Sequence, residues 1–542
     1  MPSPKSKQPR WVGCFCALIF FFLGCVILPY PGLQNDEVIF APADYRVPGS
    51  SVFLLFHDRV PVMLMSYLGA LKTWLYAGLL NVFPPSCWTV RLPMLLVGAI
   101  TVWLFFELLR ALQDSRAAWI GGLLLATDSM FLVTACFDWG PVALQHLLLV
   151  AGLLLITQFI LRKRALALFC GFFCLGLGLW DKALFLWNLS GLAVSALVVF
   201  PGELRTRLTG RNIALAFGGL VLGALPLITY NVASGWPTLR SNSSFRFDEF
   251  SSKFRSLRGT WDGSAVLGYI VSLPGQAGGP RDARNIVERV SYALHGLFGD
   301  QAKNRMEWAF LAAVLLAALL WRSAARKKLL FFLLALAIAW FQMAITKDAG
   351  ASAHHVVLLW PLAYVFIAVV FAEASARWGR LGAPVIAVAV LYLAAQNLLV
   401  TNQHLYLFAR YGSPRSWSDA IYTLSGDLDQ ASKAQIVVAD WGIVNQLILL
   451  HRDRLRLAIA DEGFLSPQES DAERQRDRLR LESGLWVGHT LPYRELNQVN
   501  ESVMKAAATA GFQKQILRLI SDSHGSPAFE IFRFVRPAGA SR

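Results

Sequence analysis

Apolar runs recur along this chain from Trp11 to Val400, with basic clusters in alternate gaps between them. A helix needs about 20 apolar residues to cross a bilayer. No water inside the bilayer can satisfy loose backbone groups, so runs of this kind fold as helices. Read against their Lys/Arg flanks, the runs give about eleven spans. These are 11–28, 91–109, 117–135, 140–161, 165–180, one ending at Phe200, 212–231, 306–321, 329–345, 354–372 and 381–400. The basic clusters are Lys5/Lys7/Arg10, Arg110/Arg116, Arg162–Arg164, Arg205/Arg207/Arg211, Arg322/Arg326–Lys328 and Arg377/Arg380. Basic loops stay on the cytoplasmic side. The alternation therefore places the N-terminus inside and everything beyond residue 400 outside.

Composition agrees. Of 542 residues, 55% are hydrophobic and 16% charged, against about 25% charged in soluble chains. The net charge of +15 sits largely in the short inner loops and is no signature of nucleic-acid binding. The cysteines (14, 16, 25, 87, 136, 170, 174) fall mostly within apolar runs, and none lies beyond Cys174. The outer segments thus have no disulfide framework, and no metal-ligand spacing is present. Pro29-Tyr30-Pro31 makes a poor cleavage site after the first run, which is read as a retained helix.

The expected fold is an α-helical polytopic membrane protein with a small C-terminal α/β extracytoplasmic domain. Residues 1–400 form the membrane module and 401–542 the outer domain. Two outer loops are long, 30–90 and 232–305. Val60 to Leu80 carries Tyr67, Lys72, Trp74 and Tyr76, a composition suited to helices lying in the interface. In the outer domain, strands are expected at Gln435–Ala439, Leu485–Val487, Ile516–Ile520 and Phe529–Val535, with helices near Ile443–Leu450 and Asn500–Ala510. Residues 466–482 alternate charges on a polar helix.

The functional candidates lie at outer ends of spans. Asp36-Glu37 follows two helix-breaking prolines; a carboxylate there can act as a base, bind a divalent cation or stand solvated. Asp138, after the third span, suits either a site carboxylate or an N-cap for the next helix. His57 with Glu37 is a candidate metal pair, set against a surface histidine. Lys72 and Arg91 are candidate phosphate ligands, with snorkelling the alternative for Arg91. Lys347 with His354-His355 forms one outward-facing corner suited to an anion. Asp181-Lys182 reads as a local ion pair. The glycines from Gly171 to Gly178 read as helix packing, since no strand precedes them.

Together, the first span followed by Asp36-Glu37, the interfacial loop, Arg91-Leu92-Pro93 with Gly98, and Asp138 after the third span resemble the GT-C glycosyltransferases. The nearest group is glycosyltransferase family 39, comprising protein O-mannosyltransferases and bacterial lipid A aminoarabinose transferases. The resemblance implies a polyprenyl-phosphate-linked sugar donor, Asp36 as the catalytic acid/base residue and Asp138 as a second acidic site residue. Many relatives carry Arg-Tyr where this chain has His354-His355. Transfer from a lipid phosphate needs a base on the acceptor hydroxyl and cations on the leaving phosphate. Asp36 fits the first role, with Glu37 or Asp138 orienting it or holding a cation. Lys72, Arg91, Lys347 and the histidines fit the second, lysine and arginine ahead of histidine because they stay charged at neutral pH. The expectation is direct displacement with inversion, on the outer face of a bacterial inner membrane, to a lipid, glycan or protein acceptor. The rival class, a transporter or flippase, calls for repeated halves and midplane polar groups, which the sequence lacks.

Overall fold

The computed structural model describes residues 10–537 apart from 57–58, 243, 277–278, 348, 432–433 and 466–468. His57, and the basic Lys5 and Lys7, thus lie outside the described residues.

Among the described residues, six helices are long and apolar enough to cross a membrane: Cys87–Leu112, Ala143–Arg162, Gly210–Ser234, Arg326–Ile345, Ala353–Arg377 and Gly379–Tyr411. Two bent pairs add to these, Ser115–Thr127 with Ser129–Phe137, and Ala183–Val199 with Pro201–Arg207. Cys14–Ile27, Ala165–Asp181 and Met306–Leu319 are shorter apolar helices. The chain is a multi-pass membrane protein.

Its axis is the Trp360–Arg377 helix, apolar on nearly every face and buried along most of its length. A helix hydrophobic all round has no solvent or lipid face to present. Ser115–Thr127, Met306–Leu319, Arg326–Ile345 and Gly379–Tyr411 pack around it. The bent pair breaks at Asp128 by 61°. Asp128 accepts from Phe131 N (2.6 Å), Trp360 Nε1 (3.1 Å) and Tyr364 Oη (2.5 Å), tying the bend to the axis. The Ala165–Asp181 helix meets Gly210–Ser234 backbone to backbone. A Cβ on Gly176 would lie 2.2 Å from Leu220 O, and one on Gly223 would lie 2.3 Å from Phe173 O. The glycines within 171–178 are therefore packing residues, as the sequence suggests.

The loop after the first helix departs from expectation. Val60 to Leu80 is not helical throughout: β1 (Phe53–Leu55) and β2 (Val60–Met63) form an antiparallel hairpin, and only Leu71–Val82 is helix. Val60 and Val62, with β-branched side chains two apart, suit a strand, and that period is short enough to hide inside a helical pattern.

The last long helix runs past residue 400 to Tyr411. Beyond it lies a five-stranded sheet of β3 (Gln435–Val438), β4 (Arg456–Ile459), β5 (Leu485–His489), β6 (Gln513–Ser521) and β7 (Pro527–Val535), in the order β4-β3-β5-β7-β6. β3 is parallel to β4 and to β5, while β7 is antiparallel to β5 and β6. β4 is the strand the sequence reading missed. Its Arg456-Leu457-Ala458-Ile459 is short and sits at the sheet edge, where one side has no partner strand to demand apolar residues. Asp471–Ser483 is the polar helix, opened by a Ser470–Glu473 capping box.

Candidate active site

Pro29 and Pro31 end the first helix, and the chain that follows is held by one side chain. Arg91, fully buried in the Cys87–Leu112 helix, donates through Nε to Glu37 Oε1 (2.6 Å), through Nη1 to the carbonyls of Leu28 (2.7 Å) and Pro31 (2.9 Å), and through Nη2 to Gly32 O (2.8 Å) and Glu37 Oε2 (2.9 Å). A guanidinium has five N–H donors, and all five serve this loop. Glu37 is equally engaged, its Oε2 also accepting from Gln34 N (3.2 Å).

Two expectations fall here. Arg91 has no donor left for a phosphate and does not snorkel. Glu37 is buried with both oxygens on Arg91, so it neither holds a cation nor reaches a substrate. Among the described residues no three His, Cys, Asp or Glu side chains come together as metal ligands. Glu37's oxygens do not fit a metal site.

A second buried pair lies beside the first. Lys72 Nζ is 2.6 Å from Asp138 Oδ2 and donates to Glu37 O (2.9 Å). Its ammonium also lies 5.0 Å from the Phe40 ring centre and 5.7 Å from that of Tyr76. Asp138 takes the left-handed conformation (φ 46°) at the end of Ser129–Phe137. Its Oδ1 accepts from Val142 N and Ala143 N, both 2.9 Å. The cap and the ion pair are thus one arrangement. Burial pushes the Asp138 carboxyl up, but the Lys72 ammonium and the two backbone N–H groups outweigh it and hold it below the ordinary range. Lys72 is consequently a partner for Asp138, not an open phosphate ligand.

Asp36 sits on this fixed loop and differs from its neighbours. It is half-buried, with its backbone N–H donating to Gln34 Oε1 (2.6 Å). Burial raises its pKa, opposed by a hydrogen bond from Asn35, the charge of Lys182 and a hydrogen bond from Gln34. Its charge also raises the hydroxyls of Tyr67 and Tyr269, each after burial.

Lys182 is the cation that sequence reading mistook for half of a local pair. Residues 67–69 bridge to 181–183: Gly69 N donates to Asp181 O (3.1 Å) and Ala183 N to Tyr67 O (2.8 Å). The bridge turns the two side chains to different partners. Asp181 accepts from Gln145 Nε2 (2.7 Å), while Lys182 Nζ donates to Gly140 O (2.5 Å). Burial brings the Lys182 ammonium down to about 8, against the pull of Asp181, Asp36 and Asp138. No motif in the sequence marks it. The bridge that aims it joins residues more than a hundred positions apart.

His354 completes this wall. Its ring centre is 4.6 Å from that of Trp139 and 4.2 Å from that of His355. It also covers Gly140, where φ is +68° and a Cβ would lie 2.3 Å from His354 Cδ2. His354 Nδ1 lies 2.9 Å from Ser352 Oγ, and His355 Nδ1 accepts from Gly350 N at 3.3 Å. The Lys347 side chain is exposed, and its backbone N–H donates to Ser244 O (2.8 Å).

Residues 70–230, which carry Lys72, Arg91, Asp138 and Lys182, match the family described as dolichyl-phosphate-mannose-protein mannosyltransferase. The fold is GT-C-like. The whole chain is similar to ArnT from Cupriavidus metallidurans bound to undecaprenyl phosphate, with TM-score 0.56 and 13% identity over 96% of this chain and 97% of that one. The apo form of that ArnT gives TM-score 0.57 and 14% identity over the same shares. No curated protein sequence matches the chain. At these identities the likeness is one of fold. With the family match, it bears out the resemblance drawn from Asp36-Glu37, Arg91-Leu92-Pro93 and Asp138 to the membrane glycosyltransferases of the GT-C kind.

Proposed function

We propose that this protein transfers a sugar from a polyprenyl-phosphate donor to an acceptor hydroxyl at the outer face of a bacterial inner membrane, with inversion and with Asp36 as base. The membrane module of residues 1–400 carries the chemistry, and the domain of residues 401–542 covers its outer side. One observation carries the reading. Of the candidate carboxylates Asp36, Glu37 and Asp138, the last two are each held by a buried cation, whereas Asp36 is partly exposed on the loop they fix, within the field of Lys182. That ArnT from Cupriavidus metallidurans was captured with undecaprenyl phosphate supports a donor of the same lipid class.

In the reaction, the acceptor oxygen attacks the anomeric carbon as Asp36 takes its proton. The bond from that carbon to the phosphate oxygen breaks, and the electron pair leaves with the polyprenyl phosphate. Lys182 neutralises the charge that develops there, with His354 and His355 lining the same wall. Lys72 and Arg91 move from the phosphate to the scaffold, because each is already the buried ion-pair partner of a carboxylate. A preorganised ammonium in a dry site stabilises developing charge far better than one in water. Incubating the purified protein with a panel of polyprenyl-phosphate sugars radiolabelled in the sugar tests this. Transfer to an acceptor is expected, and hydrolysis alone or no turnover with every donor would refute it.

A further inference from the structure

The outer domain brings its own chemistry to Asp36. The chain leaves β3 for β4 on one side and returns through β5 on the other, so the sheet changes direction beyond the carboxyl ends of β3 and β5. Open α/β sheets bind ligands at that crevice. Here it holds Asp440 and His489, joined Oδ2 to Nδ1 at 3.0 Å. Asp440 also accepts from Trp441 N (2.8 Å), Leu496 N (2.8 Å) and Glu495 N (3.3 Å). This fixes the loop after β5 so that the Glu495 carboxylate lies 3.7 Å from Arg415 Nη1. Arg415 has φ +51°, in the left-handed region a non-glycine residue seldom takes.

The crevice rests on the catalytic loop. Gly32 N donates to Trp417 O (2.7 Å), and Gln446 Nε2 reaches Leu33 O (3.4 Å). From the membrane side, Trp139 approaches Trp417 at 6.0 Å and stacks on Tyr269 at 5.1 Å. Tyr269 keeps 36% of its surface exposed, and half of the Arg415 side chain is exposed. Burial raises the Tyr269 hydroxyl to about 12, and the charges of Asp36, Glu495 and Arg415 all act on it. An aromatic ring stacked on Trp139, and a pair of one donor fork and one carboxylate whose Arg415 is two residues from the Gly32–Trp417 contact, therefore stand beside the loop that carries Asp36.

We propose that this cleft between the membrane module and the outer domain binds a neutral saccharide as acceptor. The inference rests on the glycosyltransferase reading and adds the acceptor class. Tyr269 offers its electron-rich face to the C–H side of a sugar ring. Arg415 donates to, and Glu495 accepts from, adjacent ring hydroxyls, leaving a further hydroxyl to Asp36. The Arg415–Glu495 pair has no net charge, which disfavours an anionic acceptor. The cleft offers side-chain groups in place of the free sheet edge that holds an extended peptide.

Saturation-transfer NMR on the full chain in nanodiscs, without donor, tests the site. The probes are methyl α-mannoside, methyl β-glucoside and methyl β-galactoside, with glycerol as the ring-free control and a threonine-containing hexapeptide as the rival. At least one glycoside is expected to bind more tightly than glycerol or the peptide. Tyr269→Ala and Glu495→Gln should each raise its Kd by about tenfold at an unchanged melting temperature. Should Tyr269→Ala fail to fold, Glu495→Gln carries the test alone, since its carboxylate lies on the rim. Preferential binding of the peptide, glycosides no better than glycerol, or wild-type affinity in a folded variant would overturn the proposal. Because no donor is present, a failure here is distinct from a failure to transfer sugar.

Discussion

Arg91 and Glu37 lie 54 positions apart and make a buried bidentate ion pair whose remaining donors close on the carbonyls of Leu28, Pro31 and Gly32. The loop that presents Asp36 is thereby fixed from inside the protein rather than by substrate. A catalytic group has to be held in place before the substrate arrives, because a misplacement of about 1 Å can cost ~10²-fold in rate.

Glu37→Gln is expected to act on stability first. Removing one partner of a buried ion pair leaves an uncompensated charge and typically costs about 3–5 kcal/mol. The variant should show a lower melting temperature and poor folded yield. A well-folded, thermally unchanged protein with reduced turnover would instead place Glu37 in the chemistry.

Asp36→Asn should show the reverse pattern. The amide keeps the size but removes the proton acceptor, so turnover should fall about 10²–10⁴-fold at normal yield and melting temperature. Wild-type turnover in the folded variant would move the base elsewhere.

Activity should trace a bell against pH. Asp36 must be ionised to act as base, and burial raises its pKa, so the acid limb lies above the ordinary value of 3.8. Lys182 acts only while protonated, and its pKa is brought down to about 8. Activity should therefore be lost as pH rises through about 8. Lys182→Arg should carry the alkaline limb upward, since arginine stays charged above pH 12. An alkaline limb unmoved by Lys182→Arg would assign it to another group.

Gly32→Ala probes the join between the two parts of the chain. A Cβ there would lie 2.1 Å from Ser418 O, and a backbone atom cannot swing aside as a side-chain tip can. Loop and C-terminal domain must separate, and turnover should fall about 10²-fold while the membrane helices stay folded. Near wild-type turnover would show that the contact is dispensable.

What the sequence determined by itself was whatever depends on local pattern. Apolar runs with alternating basic loops led to the helical membrane fold, because burial in lipid is decided residue by residue along one segment. Most of the C-terminal strands were legible from short apolar runs between turn residues, and the packing glycines from the want of a preceding strand. Asp36-Glu37 stood out as a candidate because two prolines and two carboxylates follow a span end within nine residues. Tertiary structure alone decided what each charge meets. Arg91 and Lys72 looked like open cations and proved to be the buried partners of Glu37 and Asp138; Lys182 looked like half of a local pair and proved to donate to Gly140 O, with Asp36 among the charges acting on it. A charge's role depends on which groups lie within a few ångströms and how much water remains. Those distances are set by residues 54, 66 and 42 positions apart, respectively, a separation no local pattern encodes.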